Sequence, residues 1–474
     1  MCVNSLIKRS QKWLETKIPS KIKYSNPQKY IFFLILTVFA LLVGKSIVSE
    51  YFLFLLFILF SIVILYLYFK RIEFFILLIL VIDEELFFLL PKELLGKYNY
   101  RGLLYVILLI ILPCLFLIKN KKYEKKFIFL AFALLLMILI ASLNTLSQGQ
   151  PLALGLKAEL GYYNILFYFV FASKKIDMKK LFTMIIIAGV VLCILNNLQY
   201  IFFGSIKIFN YYRSVERAGV FRYLVGEIYI YFSSIIAFGE YLSTKKKRFL
   251  IAFVYILVTL IVQIQIRASI WGFTVMILTL LYLTKKINII KAALITVPLV
   301  SLFIWFLPAI NSTFVGKLFD LTKYEISQKT GNVGIRFDAY DYYLGEIVKS
   351  PIIGGGIWNY AFKENPEHKQ YIGLFLDDIG VISFLFHFGL MGLIWILILF
   401  IKIYKISFYR AGKLKENIPY GVIGYFIYSL AIMPTVNCFV RGDAIVYLAL
   451  LLALLSQSDL SNQIKSSQIN GMID

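Results

Sequence analysis

The chain has 474 residues, 60% of them hydrophobic and 16% charged, with a mean hydropathy of +0.81 and a net charge of +23. A soluble core of this size has no use for so much apolar surface, and its exterior needs more charge, so a soluble globular domain is excluded. A nucleic-acid-binding surface is excluded too, because the basic excess sits in short blocks between apolar runs: KNKKYEKK (119–126), SKKIDMKK (173–180) and TKKKR (244–248). That is the cytoplasmic-loop pattern of the positive-inside rule.

In chain order, residues 1–29 are polar and basic and lack the short apolar core and small-residue site of a signal peptide, so they read as a cytoplasmic tail. Apolar runs long enough to cross about 30 Å of hydrocarbon then recur. They fall at 30–44, 52–69, 73–90, 103–118, 127–146, 161–173, 181–203, 224–242, 249–265, 269–284 and 290–307, and after a long gap at 379–401, 420–436 and 443–456. The expected fold is an all-α polytopic integral membrane protein of about 14 spans, twelve to fourteen allowing for the short ones, with both termini cytoplasmic. The spans group as 30–307 and 372–456. Between them residues 308–371 form a large extracytoplasmic loop with short helices, whose acidic and basic residues balance and whose Tyr, Trp and Gly content suits an ordered subdomain. Residues 457–474 read as a disordered cytoplasmic tail.

Under this topology lysine and arginine divide. Most lysines map inside, where anchoring alone explains them. Of the arginines only Arg9, Arg71, Arg248 and Arg410 do so; Arg101, Arg213, Arg217, Arg222, Arg267, Arg336 and Arg441 map to the outer side. A guanidinium grips phosphate oxygens bidentately and stays charged when partly desolvated, so an outward cluster suits a diphosphate. Headgroup contact is the competing explanation for Arg101, and a salt bridge to Asp443 for Arg441. Arg213 and Arg217, four apart, share a face if their segment is helical. Arg267 lies in VQIQIRASIW at membrane depth, where charged groups default to functional or interhelical roles.

Acid–base candidates are few. His368 lies in the long loop; His387 lies within a span and reads as a packed, hydrogen-bonded interior residue. Asp338, Asp341 and Glu346 are carboxylates of the loop. The four cysteines are isolated, with no disulfide or metal spacing, and neither a Walker loop nor a Rossmann pattern occurs. No cofactor and no metal site are expected. Pro351 should end the helix that starts near Gly334, and Gly354, Gly355 and Gly356 then form a tight turn, or an anion-binding nest of amides.

The segments GIRFDAYDYYLGEIVKSPIIGGGIWNY (334–360) and LDDIGVISFLFHFGLMGLIWIL (376–397), with QIRASIW (265–271) upstream, resemble the O-antigen polymerase/ligase superfamily. The likeness rests on Arg336 opening a loop helix, on Ser350-Pro351 leading into the glycines, and on Asp378, Gly380, Gly389 and Gly392 in the following span. Ligase-type members carry His-Asn before that span, where this chain has His368-Lys369. The resemblance implies a metal-independent polymerase of O-antigen, capsule or exopolysaccharide in the bacterial cytoplasmic membrane. It would transfer glycan from a polyprenyl-diphosphate-linked donor to a lipid-linked acceptor at the outer face. Arg336, His368 and Asp338 are then the catalytic candidates, Arg213, Arg217, Arg222, Arg267 and Arg441 the diphosphate ligands, and Trp358, Tyr340 and Tyr343 the glycan-stacking residues. Partners would be the lipid-linked donor and acceptor, the bilayer, a chain-length regulator and a flippase. Alternatives are a ligase using another acceptor and a polysaccharide flippase or transporter.

Overall fold

The computed structural model describes residues 50–90, 101–117, 126–202, 207–210, 214–217, 220–223, 225–264, 267–284, 327, 331–359, 361–363, 365, 376–413, 420–434 and 444–457. The chain divides into two units, Met1–Val63 and Ile64–Asp474, and of the first only the opening part of helix α1 is described.

The helices are α1 (Glu50–Lys70), α2 (Ile72–Asp83), α3 (Gly102–Leu117), α4 (Ile128–Ser147), α5 (Leu152–Glu159), α6 (Phe167–Ala172), α7 (Met178–Ile201), α8 (Glu227–Thr244), α9 (Lys247–Thr259), α10 (Arg267–Leu283), α11 (Gly331–Lys349), α12 (Val381–Lys413), α13 (Tyr420–Ile432) and α14 (Ile445–Gln457). Every expected span except 30–44 and 290–307, which lie outside the described residues, contains one of these helices in whole or in part. Residues 161–173 form a 3-10 segment, Leu160–Leu166, followed by the single short helix α6. The segment 214–223 is not helical. It is a hairpin of β1 (Ser214–Arg217) and β2 (Val220–Tyr223) with Val215 opposite Arg222 and Arg217 opposite Val220. The helical face expected for Arg213 and Arg217 therefore does not exist: Val, Phe and Tyr alternate here with period two, and the β-period prevails.

Among the described residues three stretches, Ile128–Ser147, Met178–Ile201 and Val381–Ile406, are long and apolar enough to cross a membrane, with mean hydropathies of 2.5, 2.4 and 2.5. Each buries less than half of its apolar length. The other side presents large apolar groups outward, Phe129, Phe132, Leu136 and Leu143 on α4 among them. A stripe of this length and polarity needs hydrocarbon as solvent. This is a helical membrane protein.

Helix α14 is apolar all round and lies at the centre, nearly every side chain from Ile445 to Ser456 fully buried. It is tied at both ends. Tyr447 donates to Glu84 Oε1 at 2.9 Å, and that oxygen also accepts the Tyr229 amide that starts α8. At the other end Gln457 Nε2 donates to the carbonyls of Phe171 and Lys174, capping α6, while its Oε1 accepts the Ile176 amide. Small residues set the closest helix approaches. A Cβ on Gly239 would stand 2.1 Å from Gly421 N, and one on Gly272 2.5 Å from Ile432 Cγ2, so α8 and α10 both press against α13.

α12 is interrupted at Gly389 (φ 58°, ψ −152°), a conformation reserved in practice for glycine. A Cβ there would also stand 2.5 Å from both Gly354 N and Ile352 O. Beyond the break α12 runs along α4, with Trp395 Nε1 donating to Leu130 O at 2.8 Å. Gly389→Ala should cost about 1–3 kcal/mol from backbone strain alone. The expected result is a lowered midpoint of thermal unfolding in detergent, while Gly345→Ala, in open space on α11, leaves the midpoint unchanged or higher.

Candidate functional site

Residues 350–359 fill the interruption of α12. The carbonyls of Pro351 and Ile352 accept the amides of Leu390 (2.8 Å) and Met391 (3.2 Å), which the break leaves without intrahelical partners, and the Gly355 amide donates to Phe386 O at 2.6 Å. The Gly354 amide donates back to Ser350 O. Gly354 (φ 76°) and Gly356 (φ 88°) occupy the left-handed region, and a Cβ on either would meet backbone atoms within 3 Å. The amides of Gly354 and Gly355 are thus engaged with protein carbonyls. These glycines form the tight turn and not an anion nest.

Side chains complete the wiring. Asn144 Nδ2 donates to Gly354 O (2.8 Å), Trp358 Nε1 to Gly355 O (3.0 Å) and Gln150 Nε2 to Ile357 O (3.2 Å). His387 Nδ1 lies 3.0 Å from Gly356 O, which requires the tautomer with the proton on Nδ1, and its ring meets Tyr162 edge to face. Gln150 is the hinge of the arrangement. It is buried, gives its second proton to Thr145 Oγ1, and accepts the Asn359 amide at 2.7 Å, so all its bonding groups are used. The Asn359 side chain in turn donates through Nδ2 to Leu154 O.

α11 lies against the start of α12. Ala339, Tyr343, Ile379 and Phe386 form its core contact, with Tyr340 and Trp358 at the margin. Pro351 ends this helix as expected, but the helix begins at Gly331, which puts Arg336 in its second turn and not at its opening. Arg336 Nε is buried and meets no hydrogen-bond partner among the described residues. One turn on, Tyr340 donates to Pro434 O at 2.6 Å; burial pushes its hydroxyl up and the charge of Arg336 pulls it back down. The Val381 amide donates to Met433 O, so α11, α12 and the end of α13 meet beside Arg336.

The other candidates separate. Asp338 is exposed and lies on a different side of α11 from Arg336. Tyr343 is fully buried against Phe386 and Tyr342, which makes it a core residue and removes it as a glycan platform. Trp358 is half-buried with one ring face stacked on Phe362 at 5.7 Å. His368, Arg213 and Arg441 lie outside the described residues. Arg217 and Arg222 belong to the hairpin, whose β2 strand rests on the π-helical turn Leu260–Ile264, and Arg267 begins the next helix, α10. The first turns of α10 reach Ile432 at the end of α13. Of the elements that carry these arginines, α10 and α11 both reach the C-terminal end of α13.

A buried carboxylate close by was not expected. Glu159 is fully buried, its two oxygens bonded to Ser142 Oγ and to Tyr163 OH, the latter at 3.1 Å. Ser142 also faces Ile138 O at 3.1 Å but has one proton. A neutral Glu159 resolves this by donating its own proton to Ser142 Oγ, and burial indeed pushes its pKa up against the opposing pull of the two hydroxyls. A lone glutamate between apolar runs was the available signal; the amides Asn144 and Gln150 gave none, because their partners are about two hundred residues away.

Comparison of the chain with protein-family models and with curated proteins finds no match.

Because the folded-state pKa of Glu159 is raised, its neutral form supports the fold below the ordinary carboxylate pKa. That support is lost as pH rises through the raised value. Thermal midpoints of the wild type should fall as pH is raised above the ordinary carboxylate range. Glu159→Gln should flatten the profile while leaving the acidic-side midpoint close to wild type.

Proposed function

We propose that the protein is a metal-independent glycosyltransferase of the O-antigen, capsule or exopolysaccharide polymerase type, with about fourteen spans in a bacterial cytoplasmic membrane. In this reading it transfers glycan from a polyprenyl-diphosphate-linked donor to a lipid-linked acceptor at the outer face. The observation that carries the reading is Arg336, whose Nε is buried without a partner among the described residues where α11, α12 and α13 meet. A buried donor left unsatisfied costs about 1–3 kcal/mol, and an oxygen of an anionic substrate supplies what the protein does not.

The chemistry follows from that placement. The acceptor hydroxyl attacks the anomeric carbon, the bond to the diphosphate breaks, and negative charge grows on the departing phosphate oxygen. A guanidinium fixed in advance stabilises that charge more than it stabilises the ground state. Arg267 opens α10, whose first turns reach Ile432 at the end of α13, and in this reading it and the hairpin arginines Arg217 and Arg222 are the further ligands of the diphosphate. The exposed position of Asp338 is compatible with a base only if the acceptor reaches it from solvent, so Arg336 carries the proposal.

The test is polymer formation by the purified protein in liposomes supplied with a lipid-linked repeat unit, read as a ladder on a gel. Arg336→Ala should lower the rate about 10- to 100-fold, in line with about 1.5–3 kcal/mol for a hydrogen bond to a charged group. Arg336→Lys should recover only part of it, because lysine lacks the bidentate fork. Addition of a single unit to another acceptor would favour the ligase alternative. Transport of the glycan without bond formation would overturn the enzyme reading.

A further inference from the structure

α11 and the turn after it come between two expected spans, in a stretch expected to stand outside the membrane. Their bonding pattern differs from that of a water-borne loop. The carbonyls of Ser350, Pro351, Ile352, Gly354, Gly355, Gly356 and Ile357 all accept a hydrogen bond from the protein, several from side chains of distant elements. A loop in water has no need of this, since solvent serves its carbonyls. Irregular backbone at membrane depth does need it, because an unsatisfied group there costs several kcal/mol.

Two rulers place the turn at that depth. The apolar stretch of α12 runs from Val381 to Ile406, 26 residues. Because the helix turns at Gly389, the ruler is the part beyond the break: Leu390 to Ile406 at 1.5 Å per residue is about 25 Å, less than a hydrocarbon core of about 30 Å. Leu390, which bonds to Pro351, therefore lies inside the border at that end. The second ruler is α4, whose 20 residues span about 30 Å. Gly356 packs on Ala141 and Thr145, about 3–9 Å inside the end of that helix. Both put residues 351–356 below the membrane border.

One side of this element is apolar and uncovered. Leu344, Val348 (76% exposed) and Ile352 (65%) form a stripe along the last turns of α11 and into the turn. The stripe continues into the outward face of α12 through Leu390, Ile394 and Leu397, on a helix whose length and hydropathy assign that face to lipid. The polar edge is consistent: Lys349 pairs with Glu346 on the flank, where its stem can reach the interface, and Asp338 and Asp341 are confined to the earlier turns.

We infer that the C-terminal half of α11 and the turn through Gly356 form a re-entrant element whose Leu344–Val348–Ile352 edge lies against the acyl chains of one leaflet. Its site neighbours, Arg336 above all, then stand at the border of that leaflet, within reach of a ligand that never leaves the bilayer. This inference concerns depth and is independent of the proposed reaction.

The test labels single cysteines at Val348, Ile352 and Asp338 with an environment-sensitive fluorophore, in the full chain with Cys2, Cys114, Cys193 and Cys438 replaced by alanine. The protein is reconstituted into phosphatidylcholine vesicles with or without brominated acyl chains. Emission at 348 and 352 should be blue-shifted and quenched at least twofold by bromine, while 338 stays water-like and insensitive. Water-like emission at 348 and 352 overturns the inference. So does blue-shifted emission without quenching, which would mean that a second copy or another part of this chain covers the stripe. Should the cysteine-free chain fail to fold, the wild type can be photolabelled from diazirine-bearing lipids. Adducts within 344–353 are expected, and their absence when α12 is labelled at 394–401 overturns the inference.

Discussion

A break in a membrane-spanning helix leaves backbone groups that lipid cannot satisfy, and the arrangement around α12 follows from meeting that demand. At Gly389 the helix changes direction and its ladder lapses, exposing the amides of Leu390 and Met391. The carbonyls of Pro351 and Ile352 take them. Once the turn is inserted its own polar groups need partners, and Asn144, Gln150, Trp358 and His387 provide these. One glycine conformation thus recruits a second segment, and that segment recruits the end of α4 and the residues just after it. Seven of the eight carbonyls from Ser350 to Ile357 accept a hydrogen bond from the protein, and a buried polar network paired in this way orders a structure.

This wiring also fixes where the arginine sits. α11 ends directly at the turn, so anchoring residues 350–357 to α12 and α4 sets the direction in which α11 leaves. Tyr343 and Ala339 then lock its inner face, and Tyr340 ties it to the carbonyl of Pro434. Arg336 inherits its position from these contacts, and among the described residues its Nε has no hydrogen-bond partner to compensate its burial. The stability given up at Nε is offset by the other contacts along α11.

Much of the fold was legible in the sequence, because the length of an apolar run responds directly to bilayer thickness. Runs such as 127–146 and 181–203 became α4 and α7 within a residue or three. Legibility fails where a short-range signal has two readings. The arginine spacing 213–217 suited a helix, yet the alternation of Val215, Phe221 and Tyr223 with polar neighbours belongs to the hairpin. Tyr340, Tyr342 and Tyr343 looked alike as aromatics of an outer loop; helical phase alone separates the core residue Tyr343 from its neighbours. His387 was readable as a bonded interior residue because a histidine flanked by Phe386 and Phe388 within a span has few other options.

The site itself was half legible, and the division has a physical cause. Arg336 stood out by residue type, since an arginine on the outer side of a lysine-rich chain calls for a reason. Asn144 and Gln150 did not, because polar residues near a span end are ordinary until their partners are known, and Gly354, Ile357 and Asn359 are some two hundred residues further on. The triple glycine is the instructive case. Its composition fits a loop that cradles an anion with free amides and equally a loop that spends them. Which holds depends on whether another helix nearby lacks bonding partners, and Gly389, thirty-five residues beyond Gly354, creates that lack. A glycine-rich turn followed by an apolar span with its own internal glycine therefore reads first as a plug for that span, and a ligand site has to be argued from the residues the plug holds in place.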